Sequence, residues 1–181
     1  RLPQVADIYE KGISLGVMSK AYGLPGLRIG WLAAKNRELL HEISRYKHYL
    51  SITNSASSER LALIALKARK KILKENQTYL RKNVEELESF LLSYPSLFQW
   101  WRPQGGCIAY PKFIGPGGGE KFCHDLLRKK GVFLLPGSVY ESPLVDTPPD
   151  HFRISYGRKE SFHDGLNVIA DFLDSEYTTF V

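Results

Sequence analysis

The stretch that decides the fold runs from Ser19 to Trp31 and has the sequence SKAYGLPGLRIGW. It places Lys20 at the end of an apolar segment and Arg28 eight residues later, and the whole stretch contains three glycines. A lysine held in an apolar wall has its charged form disfavoured, so a free amine becomes available to attack a carbonyl. Glycines let the backbone approach a bound group, and a guanidinium holds a phosphate through two parallel hydrogen bonds. The stretch predicts a site for a phosphorylated aldehyde, although a lysine beside glycines is also typical of an exposed loop.

The segments around this stretch predict an α/β arrangement, followed after Pro95 by short strands and helices. Residues 13–19 and 28–34 are apolar and typical of strands, the first of them buried, and residues 39–50 have apolar positions at helical spacing. Residues 51–58 are polar and are typical of the N-terminal cap of a helix that follows them. A further helix is expected over residues 76–93. After Pro95 the expected strands are short, at residues 98–102, 107–113, 132–135 and 152–156, and the expected helices lie at 120–130 and 161–173. We place a domain boundary near residue 74.

Composition excludes several classes of protein. With 43% hydrophobic and 24% charged residues, the 181-residue chain has the balance of a globular protein rather than a disordered one. No apolar run approaches the roughly 20 residues of a membrane-spanning helix, and no signal-peptide layout is present, so we expect a soluble, cytoplasmic protein without a membrane partner. The five histidines lack metal-ligand spacing, and Cys107 and Cys123 are expected to be buried thiols, so no metal site is predicted.

The positive charge is concentrated in one helical region. Residues 60–82 hold eight basic residues and one acid, a local charge of +7 against a net charge of +6 for the whole chain. Apolar residues recur at helical spacing through the same region, so the basic residues fall mostly on the opposite face. We favour a solvated helix face over a nucleic-acid surface. A noncatalytic module that docks this helix on a polyanion is the alternative from another class.

The SKAYGLPGLRIGW stretch resembles the lysine signature of class I/II aminotransferases, which are pyridoxal-phosphate enzymes of fold type I. The resemblance implies pyridoxal 5'-phosphate as the cofactor and Lys20 as the Schiff-base lysine, which also moves the proton between the substrate and the cofactor. It implies that Arg28 binds the cofactor phosphate. Many relatives have Ser or Thr three residues before the lysine, where this chain has Val17, so one phosphate contact of the family is missing.

A second match lies at residues 152–159, FRISYGRK, which resembles a late strand of the same family. The resemblance implies that Arg153 pairs with the α-carboxylate of an amino-acid substrate, which suits the planar fork of a guanidinium. An arginine on a strand is by itself more often a salt-bridge partner, and Arg158 is a competing candidate in the turn that follows. Residues 104–107 and 136–140 resemble family turns, the latter a P-G-x-x-F motif, and residues 53–55 match a region near the dimer interface.

The resemblance implies a partial fold type I large domain at residues 1–74, followed by a complete small α+β C-terminal domain at residues 75–181 that includes the linking helix. It implies transfer of an amino group between an L-amino acid and a 2-oxo acid in a homodimer, with no nucleic-acid partner. A lyase or cyclase on the same fold is the alternative. Because the match covers the C-terminal half of a typical member, we expect the 181-residue chain alone not to transaminate.

Overall fold

The structure is a computed structural model that describes residues 2–179. It divides into two compact units, the first ending at Gln77 and the second beginning at Thr78. The two units share one long helix, α4 (Arg69–Leu92). The assignment of residues 1–74 and 75–181 to a large and a small domain stays a prediction.

The first unit contains one β-hairpin and several helices. Strand β1 (Ile13–Val17) pairs antiparallel with β2 (Gly30–Ala34), so that Val17 lies opposite Gly30. The helices are α1 (Val5–Ile8), α2 (Arg37–Ser51), α3 (Ala56–Lys67) and the start of α4. Side chains of Asn36 and Ser55 accept backbone N–H groups at the starts of α2 and α3, which satisfies donors that have no partner inside a helix.

The core of the first unit is small. Its buried cluster consists of Met18, Ala62 and Ala65, with partly buried side chains packed around it. The prediction of a buried strand at residues 13–19 is wrong for most of the strand, because only its end at Met18 packs on α3, whereas Leu15 is 69% exposed.

The second unit packs two small antiparallel sheets with helices around an aromatic core. Strand β7 (Phe152–Ser155) lies between β4 (Ile108–Ala109) and β6 (Leu135–Pro136), and β3 (Phe98–Gln99) pairs with β5 (Lys112–Phe113). The helices are α5 (Gly118–Lys130), α6 (Phe162–Glu176) and the end of α4. The fully buried core side chains include Phe113, Phe122, Phe152 and Phe172.

Several predicted boundaries differ from the structure. The single strand expected at residues 107–113 is two strands, β4 and β5, separated by Tyr110 and Pro111, because proline has no N–H to continue a ladder. The helix expected from residue 76 begins at Arg69, directly after the end of α3. The short helix α1 was not expected, and residues 137–140 form a 3₁₀ turn.

Candidate active site

Lys20 lies in a hydrogen-bonded turn directly after β1. The N–H of Gly23 donates to the Lys20 carbonyl at 2.9 Å, and the N–H of Leu24 donates to the Met18 carbonyl at 3.0 Å. Gly23 has a φ of +67°, a conformation that glycine adopts without steric cost. Met18 is fully buried beneath the turn. The turn therefore fixes the backbone of Lys20 and leaves its side chain at the surface.

A helical side chain supports the same turn. The Asn76 Nδ2 of α4 donates to the Ala21 carbonyl at 2.8 Å, one residue after Lys20. Sequence reasoning missed this residue, because one asparagine among the polar residues of a helix gives no local signal of a partner 55 residues away.

Arg28 ends the 3₁₀ turn formed by Pro25–Leu27. Its φ is +54°, in the left-handed region that residues other than glycine rarely adopt. Its Nη1 donates to the Pro25 carbonyl at 3.0 Å. A guanidinium has five N–H donors, so this single bond leaves donors available for an anion.

The structure leaves Lys20 exposed, together with Arg28. The expectation of a lysine in an apolar wall is therefore wrong for this chain as described. The hairpin beside Lys20 has apolar side chains, but Leu15 and Trp31 are exposed rather than packed over the lysine. Val17 supplies no hydroxyl three residues before Lys20, as the sequence indicates.

Arg153 lies on β7 in the second unit. Its neighbours Phe152 and Ile154 are buried in the core, so the alternation of a strand directs Arg153 to the opposite face. Its Nη1 donates to the Tyr140 hydroxyl at 3.1 Å. Within residues 2–179 no carboxylate lies within salt-bridge distance of Arg153. The structure therefore does not support the alternative interpretation of Arg153 as a salt-bridge partner.

An open cleft of about 520 Å³ lies in front of Arg153. Its lining is mostly apolar or aromatic and includes Ile108, Tyr110, Tyr140, Val145 and Pro148, with one acid, Asp146. Burial raises the pKa of the Tyr110 hydroxyl, and Tyr140 contributes to the same shift. The cleft thus combines one cation with apolar walls, an arrangement suited to a ligand that has a carboxylate and a less polar remainder.

Arg158, the competing candidate, is exposed in the turn before α6. The turn is held by Asn83, a buried α4 residue whose Nδ2 donates to the Tyr156 carbonyl at 2.9 Å and the Arg158 carbonyl at 2.7 Å. Arg153 lines the cleft and Arg158 does not. Sequence reasoning missed Asn83 as well, for the same reason as Asn76.

The remaining predicted features are turns and caps. In the region expected near a dimer interface, the Ser55 Oγ accepts the Ser58 N–H at 3.4 Å, a helix cap. In the turn at residues 104–107, Gly106 has a φ of +85°, and its carbonyl accepts the Tyr156 hydroxyl at 3.1 Å.

Across residues 2–179 no cluster of three or more His, Cys, Asp or Glu side chains suits a metal ion, and no helix has the length and apolarity to cross a membrane.

Comparison with solved structures gives the class of the protein, an α/β protein with the fold of pyridoxal-phosphate enzymes of fold type I. A pyridoxal-phosphate-dependent aminotransferase from Streptococcus suis superposes with a TM-score of 0.86 at 30% identity, over 96% of this chain and 45% of that protein. The pyridoxal-phosphate-dependent cyclase OrfR superposes with a TM-score of 0.77 at 29% identity, over 90% of this chain and 43% of that protein. The predicted fold class is confirmed.

The chain belongs to the aminotransferase class I and II family, which it matches over residues 3–169. Capreomycidine synthase of Streptomyces vinaceus is 31% identical to it over 171 residues, which are 94% of this chain and 42% of that enzyme. The chain thus spans less than half the length of the relatives it matches. Membership in this family confirms pyridoxal 5'-phosphate as the cofactor.

The residues of the first unit fit that cofactor by their donor chemistry. Lys20 offers the primary amine that an aldehyde needs, and Arg28 offers guanidinium N–H groups for a phosphate. Both side chains are exposed on the loop that joins β1 to β2.

Proposed function

We propose that the protein containing this chain is an aminotransferase that moves an amino group between an L-amino acid and a 2-oxo acid. The observation that carries the proposal is Arg153, a half-buried cation without a carboxylate partner among the described residues, in a chain that also has the lysine turn of its family. Such an arginine can bind the substrate carboxylate without first breaking an internal ion pair.

Pyridoxal phosphate, when bound, supplies an electrophilic aldehyde and a ring system that stabilises negative charge on the substrate α-carbon. Lys20 Nζ would hold the cofactor through this aldehyde. Lys20 would then move the proton between the substrate α-carbon and the cofactor, first as a base and then as an acid. The hydrogen-bonded turn at Gly23 fixes the backbone from which this amine works.

The two arginines have separate proposed ligands, the cofactor phosphate for Arg28 and the substrate α-carboxylate for Arg153. Arg28 binds the phosphate, and its contact with the Pro25 carbonyl limits the positions that its guanidinium can take. Arg153 binds the α-carboxylate bidentately from a strand with buried neighbours, so the α-carbon is presented in one orientation.

Exposure of Lys20 supports an active site that this chain forms only in part. We propose that residues outside this chain cover the lysine and exclude water, and that the 181-residue chain alone does not transaminate. This chain covers only 42% of capreomycidine synthase and 45% of the Streptococcus suis structure, which supports the proposal.

Assembly as a homodimer belongs to the same proposal. The exposed apolar side chains Tyr46, Tyr49 and Leu50 on α2 support it.

A second candidate function is cyclisation or a lyase reaction of an amino acid on the same fold. The pyridoxal-phosphate-dependent cyclase OrfR favours it, because its identity to this chain, 29%, is close to the 30% of the Streptococcus suis aminotransferase. The roles of Lys20, Arg28 and Arg153 are the same in both cases, since both reactions begin by removing a proton from the α-carbon of a bound amino acid.

The test uses the purified full-length protein with pyridoxal phosphate and a panel of L-amino acids, with and without 2-oxoglutarate. An aminotransferase forms glutamate and a new 2-oxo acid in equal amounts, only when 2-oxoglutarate is present. A cyclase or lyase consumes an amino acid without it. Lys20→Ala should abolish either reaction, whereas Lys35→Ala, which removes a surface amine bound to the Asp7 carbonyl, should retain it. Turnover by Lys20→Ala at the wild-type rate would overturn the proposed role of Lys20. Turnover by the isolated 181-residue chain would overturn only the proposal that residues outside this chain are needed.

A further inference from the structure

Tyr140 differs from the turn motif that its segment resembles. Residues 136–140 match a P-G-x-x-F turn, and this chain has tyrosine at the position of the phenylalanine. The hydroxyl is therefore an addition to the ring, and it lies 3.1 Å from the Nη1 of Arg153.

Tyr140 is restrained at its backbone and at one edge of its ring. Tyr140 is the last residue of the 3₁₀ turn, and its carbonyl accepts the Thr147 hydroxyl at 3.2 Å. Its ring lies edge-on to Tyr110, with 6.1 Å between the ring centroids and an angle of 88°. Such restraints reduce the entropy that a binding group loses when a ligand arrives.

The hydrogen-bond chemistry of the pair leaves one donor unused. A guanidinium can only donate, so the Tyr140 oxygen must accept from Arg153, and its own O–H remains available to donate. Both groups line the same cleft. Asp146 lines the cleft as well, but within residues 2–179 neither it nor any other carboxylate forms a salt bridge with Arg153.

We propose that Tyr140 donates its hydroxyl hydrogen to the carboxylate that Arg153 binds, and so fixes the guanidinium and the substrate in one orientation. The inference rests on the proposed function of Arg153 and extends it with a specific second donor. Tyr140 is a binding and positioning residue in this account, and no proton leaves it during the reaction.

The experiment compares two small probes on the full-length holoenzyme. Aminooxyacetate and methoxyamine react with the cofactor aldehyde through the same aminooxy group, but only aminooxyacetate has a carboxylate. Their binding is followed by the loss of the visible absorbance of the lysine-bound cofactor. Tyr140→Phe should bind aminooxyacetate about tenfold more weakly, the usual effect of losing a hydrogen bond to a charged group, and should bind methoxyamine as the wild type does.

Two further variants distinguish a role in carboxylate binding from a general loss of structure. Tyr79→Phe removes a hydroxyl from a tyrosine of the same unit that does not line the cleft, and it should change neither probe. Thr147→Val removes the bond to the Tyr140 carbonyl and should weaken aminooxyacetate binding by a smaller factor than Tyr140→Phe does. A crystal structure with aminooxyacetate should place the Tyr140 oxygen within ~3.2 Å of a carboxylate oxygen.

Each other outcome identifies which step is wrong. If Arg153→Ala weakens aminooxyacetate binding and Tyr140→Phe does not, the inference fails and the proposed role of Arg153 stands. If Tyr140→Phe weakens both probes equally, its effect is structural and the inference is overturned. If Arg153→Ala changes neither probe, the proposed carboxylate site itself is wrong, and the role of Tyr140 falls with it.

Discussion

The two units of the molecule bury their apolar residues to very different extents. Twenty-one buried residues of the second unit form one described cluster, in which the rings of Phe113 and Phe122 stack at 4.4 Å. The corresponding cluster of the first unit has three buried residues, Met18, Ala62 and Ala65. Helix α2 of the first unit has no buried residue.

The difference indicates how the surroundings of Arg153 and of Lys20 are supported within their own units. Arg153 lies on a strand anchored in an extensive core, so its surroundings are fixed by the second unit itself. Lys20 lies on a turn whose main buried anchor is Met18, while much of the apolar surface around it is open. We therefore expect the second unit to tolerate isolation and the first to depend on additional burial.

The largest expected effect is on the core of the second unit. Phe122→Ala removes a fully buried ring and should lower the free energy of unfolding by about 3–5 kcal/mol. Phe133→Ala, at a ring that is 65% exposed, should change it by less than about 0.5 kcal/mol. Urea titrations of both variants followed by circular dichroism measure the difference. Equal losses for the two rings would contradict the assignment of the core.

A smaller difference in the free energy of unfolding is expected between variants of two asparagines, each of which supports a turn in its own unit. Asn83→Ala leaves the Tyr156 and Arg158 carbonyls without their buried donor and should lower the free energy of unfolding by about 1–3 kcal/mol. Asn76→Ala removes one exposed bond to the Ala21 carbonyl and should cost less than about 1 kcal/mol. Urea titration checks both values. A larger loss for Asn76→Ala than for Asn83→Ala would reverse the comparison.

The effect that is smallest at neutral pH lies in the core of the second unit and develops only at alkaline pH. Burial, and to a lesser extent the charge of Glu120, raises the pKa of the Cys123 thiol to about 12. An unfolded thiol has a pKa of about 8.5, so above that pH the unfolded chain releases a proton that the folded chain retains. The free energy of unfolding should therefore fall with rising pH, by up to about 1.4 kcal/mol per pH unit from this group, until the folded thiol also ionises.

The matching variant is Cys123→Ala, measured by urea titration between about pH 7.5 and pH 10. The difference in stability between the wild type and the variant should be constant below about pH 8.5 and should shift against the wild type above it. Parallel stability curves over the whole range would show that the Cys123 thiol does not titrate differently in the folded chain.

The sequence was sufficient to predict features whose signal is local. The structure has a strand within the predicted residues 152–156, in which Arg153 lies between the buried Phe152 and Ile154. It also has a turn in the glycine-containing stretch at Lys20, with Gly23 at positive φ. Both depend on the periodicity and conformational preferences of neighbouring residues, which a sequence pattern records directly.

Features that depend on distant partners could not be predicted in this way. Burial of Lys20 requires other residues to pack over the β1–β2 hairpin. The residues near Lys20 in sequence do not pack over it. Asn83 binds carbonyls 73 and 75 residues away, and Tyr140 meets Arg153 through a long loop whose course no local pattern sets. The start of α4 was misplaced because only Ala68 separates it from α3.

The central claim is that the amine of Lys20 holds the cofactor, and covalent mapping tests it most directly. The full-length holoenzyme is treated with sodium borohydride, digested, and searched by mass spectrometry for a phosphopyridoxyl group on lysine. The account predicts that the group lies on the peptide containing Lys20, and that Lys20→Ala yields no such peptide. A cofactor fixed on another lysine, such as Lys11 or Lys35, with Lys20 unmodified, would contradict it.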